Sequence, residues 1–120
     1  MKAHKIRPFI PSIEFKRSIT FYKELGFEII YEEEKLVIMS LGDISFFIQD
    51  AYVKDWAENT MIQLFVEDLE VLYDRVVDLS KTYSEIKFKP IFNAHYGLTF
   101  HLIGPEGVLW HMMQYVKIKE

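Results

Sequence analysis

The strongest constraint on this chain is a pattern that occurs twice. Phe15, Ile19, Tyr22 and Leu25 are spaced four, three and three residues apart, which puts them on one face of an α-helix. The stripe returns as Leu69, Leu72, Val76 and Leu79. Phe15 falls on Leu69, Tyr22 on Val76 and Leu25 on Leu79, at an offset of 54 residues. The spacing predicts helices at Lys16–Leu25 and Leu69–Lys81. Glu14 or Ser12 stands where the first helix needs a cap, and Gly26 where a left-handed stop is expected. Asp68 is a good N-cap for the second helix.

Strand patterns flank each stripe. Ile6–Ser12 is apolar but holds Pro8 and Pro11, which lack a donor and suit an edge strand. Phe27–Glu32, Leu36–Leu41 and Ile44–Gln49 follow, the last two joined by the hairpin signal Gly42-Asp43. Asp50–Asn59 reads as a connecting loop. The order then repeats: strand Thr60–Val66, the helix, a weak strand Phe88–Phe92, then Leu98–Ile103 and Val108–Tyr115 around the turn Gly104-Pro105-Glu106-Gly107. The expected fold is α+β. Two βαβββ modules, at about 4–50 and about 60–116, make one domain over 1–120. Their strands form a curved, partly open barrel-like mixed sheet, with helices outside and a cleft inside.

Composition narrows the function. Acids outnumber bases 18 to 14, so the chain lacks the basic footprint of a nucleic-acid partner. With no cysteine, disulfides, thiolate catalysis and Cys zinc sites are excluded. No apolar run reaches the roughly 20 residues of a membrane span, and no signal peptide is visible at the start. We expect a soluble, cytoplasmic protein with no membrane partner. Aromatics are 16% of the chain, enough to line a cleft. No glycine-rich phosphate loop is present, no serine has a nucleophile-elbow context, and the four histidines show no short ligand spacing.

Several stretches resemble one known family. Pro11-Ser-Ile-Glu-Phe-Lys-Arg-Ser-Ile-Thr-Phe-Tyr-Lys-Glu-Leu-Gly-Phe27 resembles the first strand–helix–strand of the vicinal oxygen chelate superfamily. That superfamily holds glyoxalases, extradiol dioxygenases, fosfomycin-resistance enzymes and bleomycin-resistance proteins. Val66-Glu-Asp-Leu-Glu-Val-Leu-Tyr73 resembles the start of its second unit. Tyr96-Gly-Leu-Thr-Phe-His-Leu-Ile-Gly-Pro-Glu-Gly-Val-Leu-Trp-His-Met-Met-Gln114 resembles its closing hairpin. The positions that supply metal ligands in metal-dependent members are Arg7, Met61 and His111 here. Arginine does not ligate a metal, and methionine is too soft for hard divalent ions. The resemblance therefore implies the bleomycin-resistance branch, a homodimer that sequesters an antibiotic-type small organic ligand with no metal, no cofactor and no catalytic residue. The alternatives are a lyase, isomerase or dioxygenase with a relocated metal, and a structural dimer whose cleft its own side chains fill.

Strand alternation assigns side chains to the cleft. The expected ligand-binding set is Arg7, Phe9, Met39, Phe46, Ile48, Met61, Gln63, His101, His111 and Met113. Apolar walls with a few polar anchors suit a small molecule, here an aromatic or a cationic one. Each has a plainer reading. Phe9, Phe46 and Met61 would fill the interior, His101 and His111 would be hydrogen-bonded structural residues, and Arg7 would make a salt bridge. The run Glu32-Glu33-Glu34 reads as a solvated turn, and Trp56 as either a contact or a cover for the core.

Overall fold

The computed structural model describes residues 1–115. The chain divides into two compact units, Met1–Val53 and Lys54–Glu120. Each builds one mixed sheet with a helix on one face, and among the described residues neither sheet closes into a barrel.

The first unit runs β1 (Phe9–Pro11), α1 (Phe15–Leu25), β2 (Glu28–Glu33), β3 (Leu36–Leu41) and β4 (Ile44–Gln49). The sheet order is β1-β4-β3-β2, with β1 parallel to β4 and the other pairs antiparallel. β1 is shorter than its apolar run because Pro8 and Pro11 donate nothing. It lies at the sheet edge, and the Pro8 carbonyl still accepts from the Phe47 amide at 2.9 Å. Gly42 takes φ +57, and the two-residue turn pairs Leu41 with Ile44. Gly26, at φ 128, stops α1, and its N–H returns to the Tyr22 and Lys23 carbonyls. Glu14 occupies the N-cap position but makes no side-chain capping bond.

The core of this unit lies between α1 and its sheet. Tyr22 of α1 meets Phe46 edge-on at 5.2 Å, and Phe27 meets the same ring at 5.1 Å. Ile10, Val37, Met39 and Ile48 are fully buried on the same sheet face. Burying such a side chain contributes about 1.5–3 kcal/mol.

The second unit runs α2 (Lys54–Glu58), β5 (Met61–Phe65), α3 (Leu69–Leu79), β6 (Lys87–Phe88), β7 (Phe92–Ala94), β8 (Gly97–Ile103) and β9 (Leu109–Tyr115). The order β5-β9-β8-β6 repeats that of the first unit, with β7 also on β8. α1 and α3 keep the 54-residue offset at both ends. The Asp68 carboxylate accepts from the Val71 amide at 3.3 Å, and Gln114 of β9 accepts from the Leu69 amide at 2.8 Å. The start of α3 is thus tied to the sheet beneath it. Leu64, Leu72, Val76, Phe100, Leu102, Trp110 and Met112 form the core here.

Two expectations need correction. The loop at 50–59 contains α2, where the buried Ala57 anchors a short helix and Asn59 Nδ2 closes its end on the Asp55 carbonyl at 2.7 Å. The weak strand at 88–92 is two strands, because Pro90 interrupts the ladder between β6 and β7. Among the described residues, no helix is long and apolar enough to cross a membrane.

Candidate functional site

One face of each sheet is covered by its helix, and the other carries the unusual side chains. In the second unit the helix-free face presents Met61, Gln63 and Phe65 from β5. Leu109, His111 and Met113 come from β9, and Thr99 and His101 from β8. Gln63 pairs with His111, and His111 with His101, so a polar row crosses three strands. His101 Nε2 lies 3.1 Å from His111 Nδ1, with the rings perpendicular and 4.7 Å apart. One nitrogen must donate and the other accept, so the contact needs at least one neutral imidazole. Desolvation, then the charges of His111 and Lys89, hold His101 below the ordinary imidazole range. Gln63 Nε2 donates to Met113 Sδ at 3.0 Å. Phe92 of β7 stands 5.7 Å from the His101 ring, and Phe65 stacks on Tyr115 at 4.0 Å. Met113 is fully buried, while Met61 is 66% exposed.

In the first unit the helix-free face presents Arg7, Phe9, Ser45 and Phe47. Arg7 Nε donates to Ser45 Oγ at 2.8 Å, and its guanidinium carbon lies 5.9 Å from the Phe47 ring centre. Phe47 stacks on Phe9 at 4.3 Å and 16°. Arg7 forms no ion pair among the described residues, against the salt-bridge expectation.

The expected set therefore divides. Arg7 and Phe9 lie together on one helix-free face, and Met61, Gln63, His101, His111 and Met113 on the other. Met39, Phe46 and Ile48 do not join them. They stand on the helix-covered face of the first sheet, with Phe46 against Tyr22. The physical reason is a slip of one residue. Counted from the pair that closes its turn, His111 is two residues beyond Leu109, whereas Phe47 is three beyond Ile44. The parallel partners give the true equivalence: Phe9 with Phe47, Gln63 with His111. A slip of one sends every side chain of a strand to the other face. Phe47 was missed for that reason, and the β1 register was the signal able to find it. Trp56 lies on α2, 71% exposed, and Glu32, Glu33 and Glu34 are all exposed.

The positions that the resemblance marks for metal ligands do not fit a divalent ion. Arg7 offers N–H donors and spends one on Ser45. Met61 offers a thioether, and His111 is bonded to His101. Among the described residues no three His, Cys, Asp or Glu side chains gather as a metal-holding group.

Solved structures match almost the whole chain. A bleomycin resistance determinant encoded on transposon Tn5 aligns with a TM-score of 0.79 at 20% identity, over 96% of this chain and 100% of that one. The fold is that of the bleomycin-resistance proteins. The bleomycin-binding protein of Streptomyces verticillus, in complex with copper(II)-bleomycin, gives 0.78 at 20%, covering 97% and 99%. The fosfomycin resistance protein FosX of Listeria monocytogenes, with Mn(II) and sulfate, gives 0.77 at 12%, covering 97% and 93%. These neighbours belong to the vicinal oxygen chelate superfamily. No protein-family model and no curated protein matches the sequence. The fold thus serves both ligand capture and metal-bound resistance proteins, and the residues must decide between them.

Proposed function

We propose that this chain is a metal-free small-molecule-binding protein that sequesters an antibiotic-type ligand in the cytoplasm. Its two units act together as one domain, and two chains act as a homodimer. Arg7 and Phe9, with Met61, Gln63, His101, His111 and Met113, supply the binding contacts. Binding withholds the ligand by mass action, so no reacting group is needed.

One observation carries this reading. On a fold shared with bleomycin-binding proteins, the ligand positions of metal-dependent relatives hold a guanidinium bonded to Ser45, an exposed thioether and an imidazole bonded to its neighbour. Those groups recognise a ligand and do not hold a hard cation.

A thermal-shift screen of glycopeptide and planar antibiotics, with and without EDTA, tests it. The expected result is saturable stabilisation by at least one compound, unaffected by chelator, with the compound recovered chemically unchanged. Recovery of a modified compound, or activity restored only by added Mn(II), Fe(II), Ni(II) or Zn(II), supports the relocated-metal enzyme instead.

A further inference from the structure

We propose that the helix-free face of the first unit binds the carboxylate of a planar aromatic ligand, with Arg7 as the anion clamp and Phe9 and Phe47 as the stacking platform. The inference rests on the binding reading above and names the class of its ligand.

The argument starts from an arginine without an acid. In a chain where acids outnumber bases 18 to 14, Arg7 is half-buried and pairs with no carboxylate among the described residues. Its side-chain partner is the neutral Ser45 hydroxyl at 2.8 Å. That bond orients the guanidinium without neutralising it. An arginine side chain carries five N–H donors and is always charged. With Nε held by Ser45, the two terminal nitrogens remain, and together they match the two oxygens of a carboxylate.

The surroundings select the rest of the ligand. The guanidinium lies 5.9 Å from the Phe47 ring centre, within cation–π range. Phe47 and Phe9 are stacked at 4.3 Å and 16°, and Phe9 remains 52% exposed. An exposed ring beside an oriented cation favours a flat group that ends in an anion. On this face β3 contributes Leu36, Ile38 and Ser40, and β4 contributes Ser45, Phe47 and Gln49, none of them charged. The acids that share the face, Glu28 and Glu33 of β2, stand two strands from β4, about 10 Å at ordinary strand spacing. A cationic ligand finds no partner beside Arg7.

The test uses three probes of one shape: 2-naphthoate, 2-naphthamide and 2-naphthylmethylamine, each titrated by calorimetry into the full chain. We expect the acid to bind roughly tenfold or more tighter than the amide, as a charge-assisted bidentate contact allows. Added salt should weaken the acid alone. Arg7→Gln should bring the acid down to the amide, and Phe9→Ala should weaken both alike. Equal affinity for acid and amide, a preference that survives Arg7→Gln, tightest binding of the amine, or no binding of any probe at millimolar concentration overturns the proposal. Equal affinities leave the binding reading standing, since the antibiotic screen tests that separately. Should Arg7→Gln fail to fold by circular dichroism, the acid-to-amide ratio and the salt dependence of the unaltered chain decide.

Discussion

At the scale of single residues, neighbours on one strand have opposite fates. Phe46 is 2% exposed and wedged between Tyr22 and Phe27, whereas Phe47 lies on the other face under Arg7. Phe46→Ala should therefore cost about 3–5 kcal/mol of stability, the usual cost of emptying a core phenylalanine site. Phe47→Ala should cost clearly less. Urea unfolding of the two variants checks this, and equal losses would count against the assignment of faces. The histidine pair makes a second test. The pKa of His101 is lowered in the fold, so the folded chain binds fewer protons there than the unfolded chain. Its contribution is complete above the ordinary imidazole value of about 6.5 and is lost as pH falls from there through the lowered value. Protonating both rings also removes the acceptor from the 3.1 Å contact. The groups facing His101 are His111 and Lys89, both of which resist its protonation, and the neutral Phe92. The melting temperature should fall as the pH is lowered from neutrality, and His101→Gln should flatten that slope. A slope unchanged in the variant would assign the effect to other groups.

At the scale of elements, α1 and α3 were legible because each carries a full apolar stripe with a boundary signal at one end, Gly26 after α1 and Asp68 before α3. The short α2 carries neither and reads as loop. Asp68 caps α3 as its residue type predicts, and Asp68→Ala should cost about 1 kcal/mol, read from a shift in the denaturant midpoint. Restoring the loss with Asp68→Ser would tie it to the cap. The strands were legible in position but less so in their ends. Gly42-Asp43 closes a two-residue turn, so β3 and β4 have the bounds that the pattern predicts. β8 instead starts at Gly97, where φ is +153 and a Cβ would sit 2.3 Å from the Gln114 carbonyl oxygen. Gly97→Ala must move the β9 backbone, with a cost on the order of 1–3 kcal/mol. Thermal melting is the check, and an unaltered midpoint would mean that the hairpin gives way without strain.

At the scale of the whole molecule, the proposed dimer yields a direct expectation: sedimentation at micromolar concentration should give twice the chain mass of 14.3 kDa. A monomer would remove the dimer from the functional reading. The repeat itself was open to sequence reasoning. Helical periodicity, an N-cap, a glycine stop and a two-residue turn are local signals, set by a few neighbouring residues, and they order the elements of both units. The second-unit face could also be read, because β5 and β9 alternate without interruption and the Gly-Pro-Glu-Gly turn marks where β9 begins. The first-unit face could not. The two-residue turn fixes the pairing of β3 with β4, but nothing in the hairpin states which of its two faces α1 covers, and so whether Phe46 or Phe47 points away from the helix. The parallel pairing of Phe9 with Phe47 settles it, across 38 residues of chain. The same long-range register brings Arg7 to Ser45, where a hydroxyl stands in place of the carboxylate of the salt-bridge reading. Local chemistry determined which elements form, and only non-local strand pairing decided which side chains stand on the helix-free faces.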